Sequence, residues 1–209
     1  MSSETVIEIL KNGPIRVTGL GAYQNSKGRE VACKSEVHLC RCGTSKNKPF
    51  CDGSHKTIDF SGDRQIDKPL NKERKYEGQR IIIHDNRTIC SHAKECVNLL
   101  PAVFRFGERP WIHPDNAEVD EIIEVVNRCP SGALSYSIAE THHRDIDRDP
   151  ALHIIADGPY NIVGGIKFVC ESNIRPPSPE HYSLCRCGAS KNKPFCDGSH
   201  VDIDFEDKS

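Results

Sequence analysis

Apolar and polar residues alternate in short bursts over much of the chain. Ile15, Val17 and Leu20 stand apart from one another among glycines and polar residues, and Ile162, Val163, Ile166 and Val169 do the same much later. Short Val- and Ile-rich runs bounded by turn residues predict β-strands. The rhythm changes in the middle of the chain. Arg80-Ile81-Ile82-Ile83-His84 reads as a strand. Farther on, Val119, Ile122, Ile123 and Val126 recur at helical spacing, behind Asp115 as an N-cap and Glu118 three residues on, as in a capping box. Segments 61–75 and 139–150 are charged and poor in apolar residues, which predicts linkers.

The chain contains one stretch twice. Residues 39–55 read LCRCGTSKNKPFCDGSH and residues 184–200 read LCRCGASKNKPFCDGSH, an offset of 145 with one difference, Thr44 against Ala189. The offset also matches Gly13-Pro14 with Gly158-Pro159, Gly19 with Gly164, and Phe60 with Phe205. Two copies of a unit too small to bury its own apolar face are expected to pack together. By analogy with an isologous dimer, a pseudo-twofold pair within one chain is expected.

Composition narrows this picture. Of 209 residues, 36% are hydrophobic, a thin supply for one large core, so small modules held by more than apolar burial are expected. The net charge of -2 gives no reason to expect nucleic acid as a partner. Lys72-Glu73-Arg74-Lys75 is short and mixed, and reads as solvated linker. The eleven cysteines are an odd number, which argues against a fully paired disulfide framework. Met1-Ser2-Ser3-Glu4-Thr5 lacks the basic and apolar regions of a signal peptide, and no apolar run approaches the roughly 18–20 residues of a membrane span. The expectation is a cytoplasmic monomer with no membrane contact, its cysteines serving as thiolates on metal.

The repeat carries the chemistry. Cys40 and Cys42 set two sulfurs close together, and Cys51 and His55 follow, with Asp52 between them as an expected N-cap. Four residues apart on a helical turn, Cys51 and His55 project to one side, about 5–6 Å apart at Cβ. The same set recurs as Cys185, Cys187, Cys196 and His200. Zinc accepts three thiolates and an imidazole, usually with C-x2–4-C spacing. Iron–sulfur clusters accept thiolates too, and His can replace Cys on one iron. Spacing by itself leaves both open. The run Cys40-Arg41-Cys42, Pro49, Cys51-Asp52-Gly53-Ser54-His55, and its second copy through Pro194 to His200, resembles the CDGSH iron–sulfur (NEET) family. That resemblance implies a redox-active [2Fe-2S] cluster at each set, held by three Cys and one His, with an acid-labile His bond. Two motifs in one chain resemble the family's monomeric branch. Lys46, Lys48, Lys191 and Lys193 stand close by, either as solvated side chains or as positive charge raising the cluster potential.

The middle segment adds another set. Cys90 and Cys96 occupy the first and third positions of a C-x2-C-x2-C ferredoxin pattern whose second position is Ala93, and Cys129-Pro130 supplies the distant Cys-Pro. From Tyr76 to Tyr136 the chain resembles the divergent 4Fe-4S mono-cluster domain. Three cysteines suffice for a [3Fe-4S] cluster. A [4Fe-4S] cluster requires a fourth ligand such as water, His92 or a small molecule, and a structural thiol cluster or an empty ferredoxin relic is the remaining alternative. Cys33 and Cys170 are not equivalent under the offset and read as buried thiols, and Trp111 reads as packing.

The fold class expected is α+β. A CDGSH module over 1–70 and another over 150–209 form a pseudo-twofold NEET-like unit, with a ferredoxin-like domain inserted over 76–138. The functional expectation is electron transfer between a reductase and an acceptor through two [2Fe-2S] clusters and a [3Fe-4S] or [4Fe-4S] cluster. The alternatives are an iron–sulfur carrier or redox and pH sensor that serves an apo-acceptor, and a zinc-stabilised interaction module. No nucleophile–base pair, phosphate loop or cofactor fingerprint points to an enzyme.

Overall fold

The computed structural model describes residues 4–207. Met1–Ser3, where the leader reading begins, lie outside the described residues, as do Lys208 and Ser209 at the end of the second module. The first copy of the repeat forms β1 (Val6–Ile9), β2 (Ile15–Thr18), β3 (Ala22–Gln24), β4 (Glu30–Ala32) and β5 (Glu36–Leu39). The insert forms β6 (Arg74–Glu77), β7 (Ile82–Asp85), α1 (Glu95–Leu99), α2 (Val119–Asn127), β8 (Leu134–Ile138) and β9 (Thr141–His143). The second copy forms β10 (Ala151–Ile154), β11 (Tyr160–Val163), β12 (Lys167–Cys170), β13 (Tyr182–Leu184) and α3 (Ser199–Asp202). The chain is α+β and β-rich, with the two copies flanking a central domain.

The two copies exchange strands. One sheet runs β12-β1-β2-β5 and another β13-β11-β10-β3-β4. Each sheet is thus built on one copy and extended by the other, which lends β12 to the first sheet and β3 with β4 to the second. β12 lies parallel to β1, with Ile7 opposite Phe168, and β3 lies parallel to β10, with Gln24 opposite His153. Alternation explains the faces: β1 buries Ile7 and Ile9, and β2 buries Ile15 and Val17. These side chains share one core with Leu152, Tyr160, Ile162 and Leu184 of the second copy. Burying about 25 cal/mol per Å² of apolar surface drives this packing, and neither copy covers its own face. The two cysteine-bearing loops also meet backbone to backbone. A Cβ on Gly43 would lie 2.7 Å from the carbonyl carbon of Cys187, and one on Gly188 would lie 2.7 Å from that of Cys42.

The insert is an antiparallel sheet, β6-β7-β8-β9, with α2 packed on β8. Ile83, Val103, Phe104, Ile112 and Ile122 are its most buried apolar side chains. Three local expectations are corrected. Helix α2 is capped by Glu118, not Asp115, through a capping box with Glu121. Asp115 sits in a separate 3-10 turn, where its carboxylate accepts from the Gln79 N–H at 2.7 Å. The strand expected from Arg80 begins at Ile82. Parts of both linkers are strands, since Arg74–Glu77 and Thr141–His143 form the edges of this sheet. Edge strands carry charge to block further pairing, and a charged edge has the composition of a linker.

Candidate metal centres

In the first copy, β5 delivers Cys40 to a loop that returns to it. Cys40 N–H donates to Pro49 O and Cys51 N–H to His38 O, each at 2.8 Å, so both limbs are fixed by backbone. The sulfurs of Cys40 and Cys42 lie 3.6 Å apart, and Cys51 Sγ lies 3.4 Å from His55 Nδ1. The four expected ligands therefore form two close pairs. Burial and the shared hydrogen bond act on the first pair together. The bond to Cys42, then burial, pushes the Cys40 thiol up. The same bond, helped by Thr44, pulls Cys42 down. The two sulfurs thus share one proton, the proton that a bound metal ion would replace. Asp52 does not cap a helix. Gly53 (φ 91°) stands at the cap of a 3-10 turn over Ser54–Lys56, and the Asp52 carboxylate accepts from Ser54 N at 3.0 Å and from Lys46 N at 2.8 Å. It ties the two limbs of the loop together. Gly53 N–H points at Cys51 Sγ, 3.4 Å away, a donor suited to thiolate.

The second copy repeats this geometry in different surroundings. Cys185 and Cys187 are 3.8 Å apart, and Cys196 Sγ lies 3.5 Å from His200 Nδ1. Burial pushes Cys196 up to about 12, a cost that bound metal offsets. Here the insert covers the loop. Asn192 donates to Thr88 O at 2.7 Å and accepts from Arg64 Nε at 2.6 Å. A Cβ on Gly198 would enter the His92 ring, whereas one on Gly53 would meet nothing within 4 Å. Asn192 and Cys196 are buried, while Asn47 is exposed and Cys51 half-exposed.

In the insert, Cys90, Cys96 and Cys129 line one small pocket together with Arg87, Ala93, Glu95 and Trp111. Burial, then the nearness of Cys129 and Cys90, pushes Cys96 up to about 12, and burial with Cys129 raises Cys90. Two sulfurs that resist ionisation, with a third beside them, suit a site completed by metal. Arg87 Nη1 donates to Cys90 Sγ at 3.4 Å, stacks 3.9 Å from the Trp111 ring centre and pairs with buried Asp85 at 3.3 Å. Trp111, expected only to pack, also forms the cavity wall. His92 is not among the lining residues, and its ring lies against Gly198 of the second module.

Several residues of the loops escaped the sequence reading. Arg41 and Arg186 are buried, and they donate through Nε to Gly13 O at 2.7 Å and Gly158 O at 2.8 Å. Their place in both Cys-x-Cys runs, with Gly-Pro at a matching offset, was the available signal. Ser45 and Ser190 donate to Phe50 O and Phe195 O at 2.6 and 2.7 Å, closing each loop. Lys48 and Lys193 are not free charges. Their ammonium groups bond Ser45 O and Ser190 O and lie over Phe205 and Phe60 of the opposite copy. Cys33 and Cys170 are half-buried beside the shared core, less enclosed than expected.

Comparison with known proteins matches this layout. The family described as iron-binding zinc finger CDGSH type matches residues 12–56 and 157–201. The family described as divergent 4Fe-4S mono-cluster matches residues 76–139. Two Escherichia coli proteins, from strain K12 and from O157:H7, each named "Uncharacterized protein YjdI", are 40% identical over 61 residues, which is 29% of this chain and 80% of theirs.

Proposed function

We propose that this chain, which belongs to the CDGSH-type iron-binding family and carries a divergent 4Fe-4S mono-cluster domain between its two modules, is a three-centre electron-transfer protein. It is an iron–sulfur protein. The finer assignment gives each Cys3His set a [2Fe-2S] cluster and the Cys90–Cys96–Cys129 set a [3Fe-4S] or [4Fe-4S] cluster. Such clusters, when bound, supply one-electron chemistry.

The pairing of ligand atoms carries this reading. Two ligands on one tetrahedral metal with bonds near 2.3 Å stand roughly 3.8 Å apart. The separations of 3.6 and 3.4 Å in the first module match that within each pair. Among the described residues, three-way convergence of ligand atoms within 4.8 Å occurs elsewhere, not at these motifs. Two metal ions, one held by each pair, would fit these ligands better than one zinc. The reciprocal strand exchange supports reading the two modules as a pseudo-twofold unit.

The residues then divide the work. His92, Thr88 and Asn192 hold the insert against the second module, so these two centres are neighbours. Tyr160 joins the modules by donating to Cys40 O at 2.7 Å. The first module keeps its Cys51–His55 rim open to a partner. On this reading the partners are a reductase and an acceptor protein, met by a cytoplasmic monomer, and no substrate is turned over. Among the described residues no helix is long and apolar enough to cross a membrane.

Electron paramagnetic resonance, with iron and sulfide analysis of protein purified without oxygen, tests the reading. Two [2Fe-2S] signals and a third distinct centre are expected. Stoichiometric zinc in place of iron would overturn it. The open rim of the first module also favours a second reading, delivery of its cluster to an apo-acceptor. Mixing with an apo-ferredoxin distinguishes the two, since a relay keeps its iron and a carrier loses it.

A further inference from the structure

Outside the cysteine sites, the insert holds a second type of ligand cluster. Glu73 immediately precedes β6, His84 lies on β7 and His142 on β9, and their ligand-capable atoms all fall within 4.8 Å of one another. We propose that Glu73, His84 and His142 bind one divalent transition-metal ion of the zinc class, which ties the beginning of the inserted domain to its end.

The first argument is an unsatisfied atom. His84 is 5% exposed. Its Nε2 is engaged with Ser137 Oγ at 2.8 Å, while its Nδ1 is buried without a hydrogen-bond partner. That Nδ1 faces Glu73 Oε2 at 3.7 Å, beyond hydrogen-bonding reach. If Nε2 carries the proton, Nδ1 turns a lone pair toward a carboxylate. If Nδ1 carries it, the N–H has no acceptor. Both arrangements leave a buried polar atom unmatched, and a cation between Nδ1 and the carboxylate resolves this with the proton on Nε2, which then donates to Ser137 Oγ.

The second argument is the outer shell. His142 is held as His84 is, with its Nε2 bonded to Ser135 Oγ at 2.9 Å. Both serines lie on β8, the strand between the two histidines: Ser135 pairs with His84 across β7, and Ser137 pairs with His142 across β9. Each imidazole thus has one nitrogen fixed by a hydroxyl and the other left over. Metal-binding histidines are oriented in this way. The two rings lie 4.7 Å apart at 68°, an edge-to-face arrangement that lets two nitrogens approach one point. Glu73 has its other oxygen on Arg144, which fixes the carboxylate.

Two imidazoles and a carboxylate form the donor set of open zinc sites, with water in the fourth position. The set contains no cysteine, so it does not compete with the iron–sulfur sites for ligands. Its position gives it a role. β6 and β9 are the outer strands of the sheet and the first and last strands of the insert. Arg144, just past His142, bonds both Glu73 and Pro177 O of the second module. Metal here would fix the angle at which the insert leaves and rejoins the flanking modules.

The test uses the full chain with its iron–sulfur clusters assembled, dialysed against zinc chloride and then against buffer. Zinc, iron and sulfide are counted per chain. One equivalent of zinc beyond the iron and sulfide is expected. His142→Ala, at an exposed edge position, and Glu73→Gln should each lose it with iron and sulfide unchanged. Zinc should also raise the Tm of the parent protein and leave that of both variants unmoved. The proposal is overturned if the parent retains no zinc, or if both variants retain as much as the parent. Should His142→Ala lose iron as well, Glu73→Gln and the Tm shift decide the matter.

Discussion

Asn47 and Asn192 occupy the same place in two nearly identical loops, yet Asn47 is exposed and Asn192 bonds Thr88 and Arg64 in a fully buried position. Removing a buried, doubly bonded amide leaves partners unsatisfied at about 1–3 kcal/mol, whereas an exposed substitution stays within roughly 0.5 kcal/mol. Asn192→Ala should therefore lower the urea midpoint clearly and Asn47→Ala hardly at all. Equal effects would mean that the insert does not seat on the second loop. Gly43 offers a second residue-scale test. Its φ of 82° is left-handed, and an added Cβ would strike the Cys187 backbone. Gly28, at φ 72°, has open space around it. Strain from the backbone conformation costs about 1–3 kcal/mol at either site, and the collision adds to it only at Gly43. Gly43→Ala should destabilise more than Gly28→Ala and lower the yield of metal-loaded protein.

Among the elements, α2 shows how a sequence signal can be right in kind and wrong in place. The apolar spacing marked the helix correctly, with Ile122 and Val126 buried. The cap fell three residues late because both Asp115 and Glu118 have acceptors, and only the fold, by giving Asp115 to Gln79, frees Glu118 to cap. Glu118→Ala should cost about 0.5–2 kcal/mol, seen as a drop of a few degrees in Tm with reduced far-ultraviolet helicity. β6 and β9 were legible as segments but not as strands. Lys75, Glu77 and His142 give them a polar edge, and an edge need not alternate toward a core.

For the whole molecule, strand exchange sets the unit of folding. Residues 1–70 lack β10 and β12, the partners of β3 and β1. Expressed alone, this segment should show neither a cooperative thermal transition nor stable cluster binding. A well-dispersed proton–nitrogen NMR spectrum from it would contradict the exchange. pH acts at the junction between insert and second module. His181 is 3% exposed, close to Gly132 of the insert. Burial first, then Arg148, holds its imidazole below the usual range against the pull of Glu180 and Asp145. The unfolded chain therefore takes up this proton first, near pH 6.5, and stability falls as pH drops below that value. Unfolding midpoints at about pH 7.5 and about pH 5.5 should fall less in His181→Gln than in the parent, because the parent alone has this proton to gain on unfolding.

The duplicated loops, the positions of their cysteines and histidines, the three insert cysteines and the α+β class were all legible along the chain. Most of this rests on local spacing: ligand pairs two or four positions apart, two residues per strand repeat, and roughly 3.6 per helical turn. The tertiary structure alone decided which copy lends a strand to which. β3 and β12 occupy equivalent places in the two copies, and nothing along the chain distinguishes pairing within a copy from pairing across copies. It also decided that one of two matching loops is enclosed and the other open, because enclosure depends on where the insert lands. Glu73, His84 and His142 belong to the same category. They are separated by up to 69 positions of chain, from residue 73 to residue 142, and only the register of four strands brings them to one point.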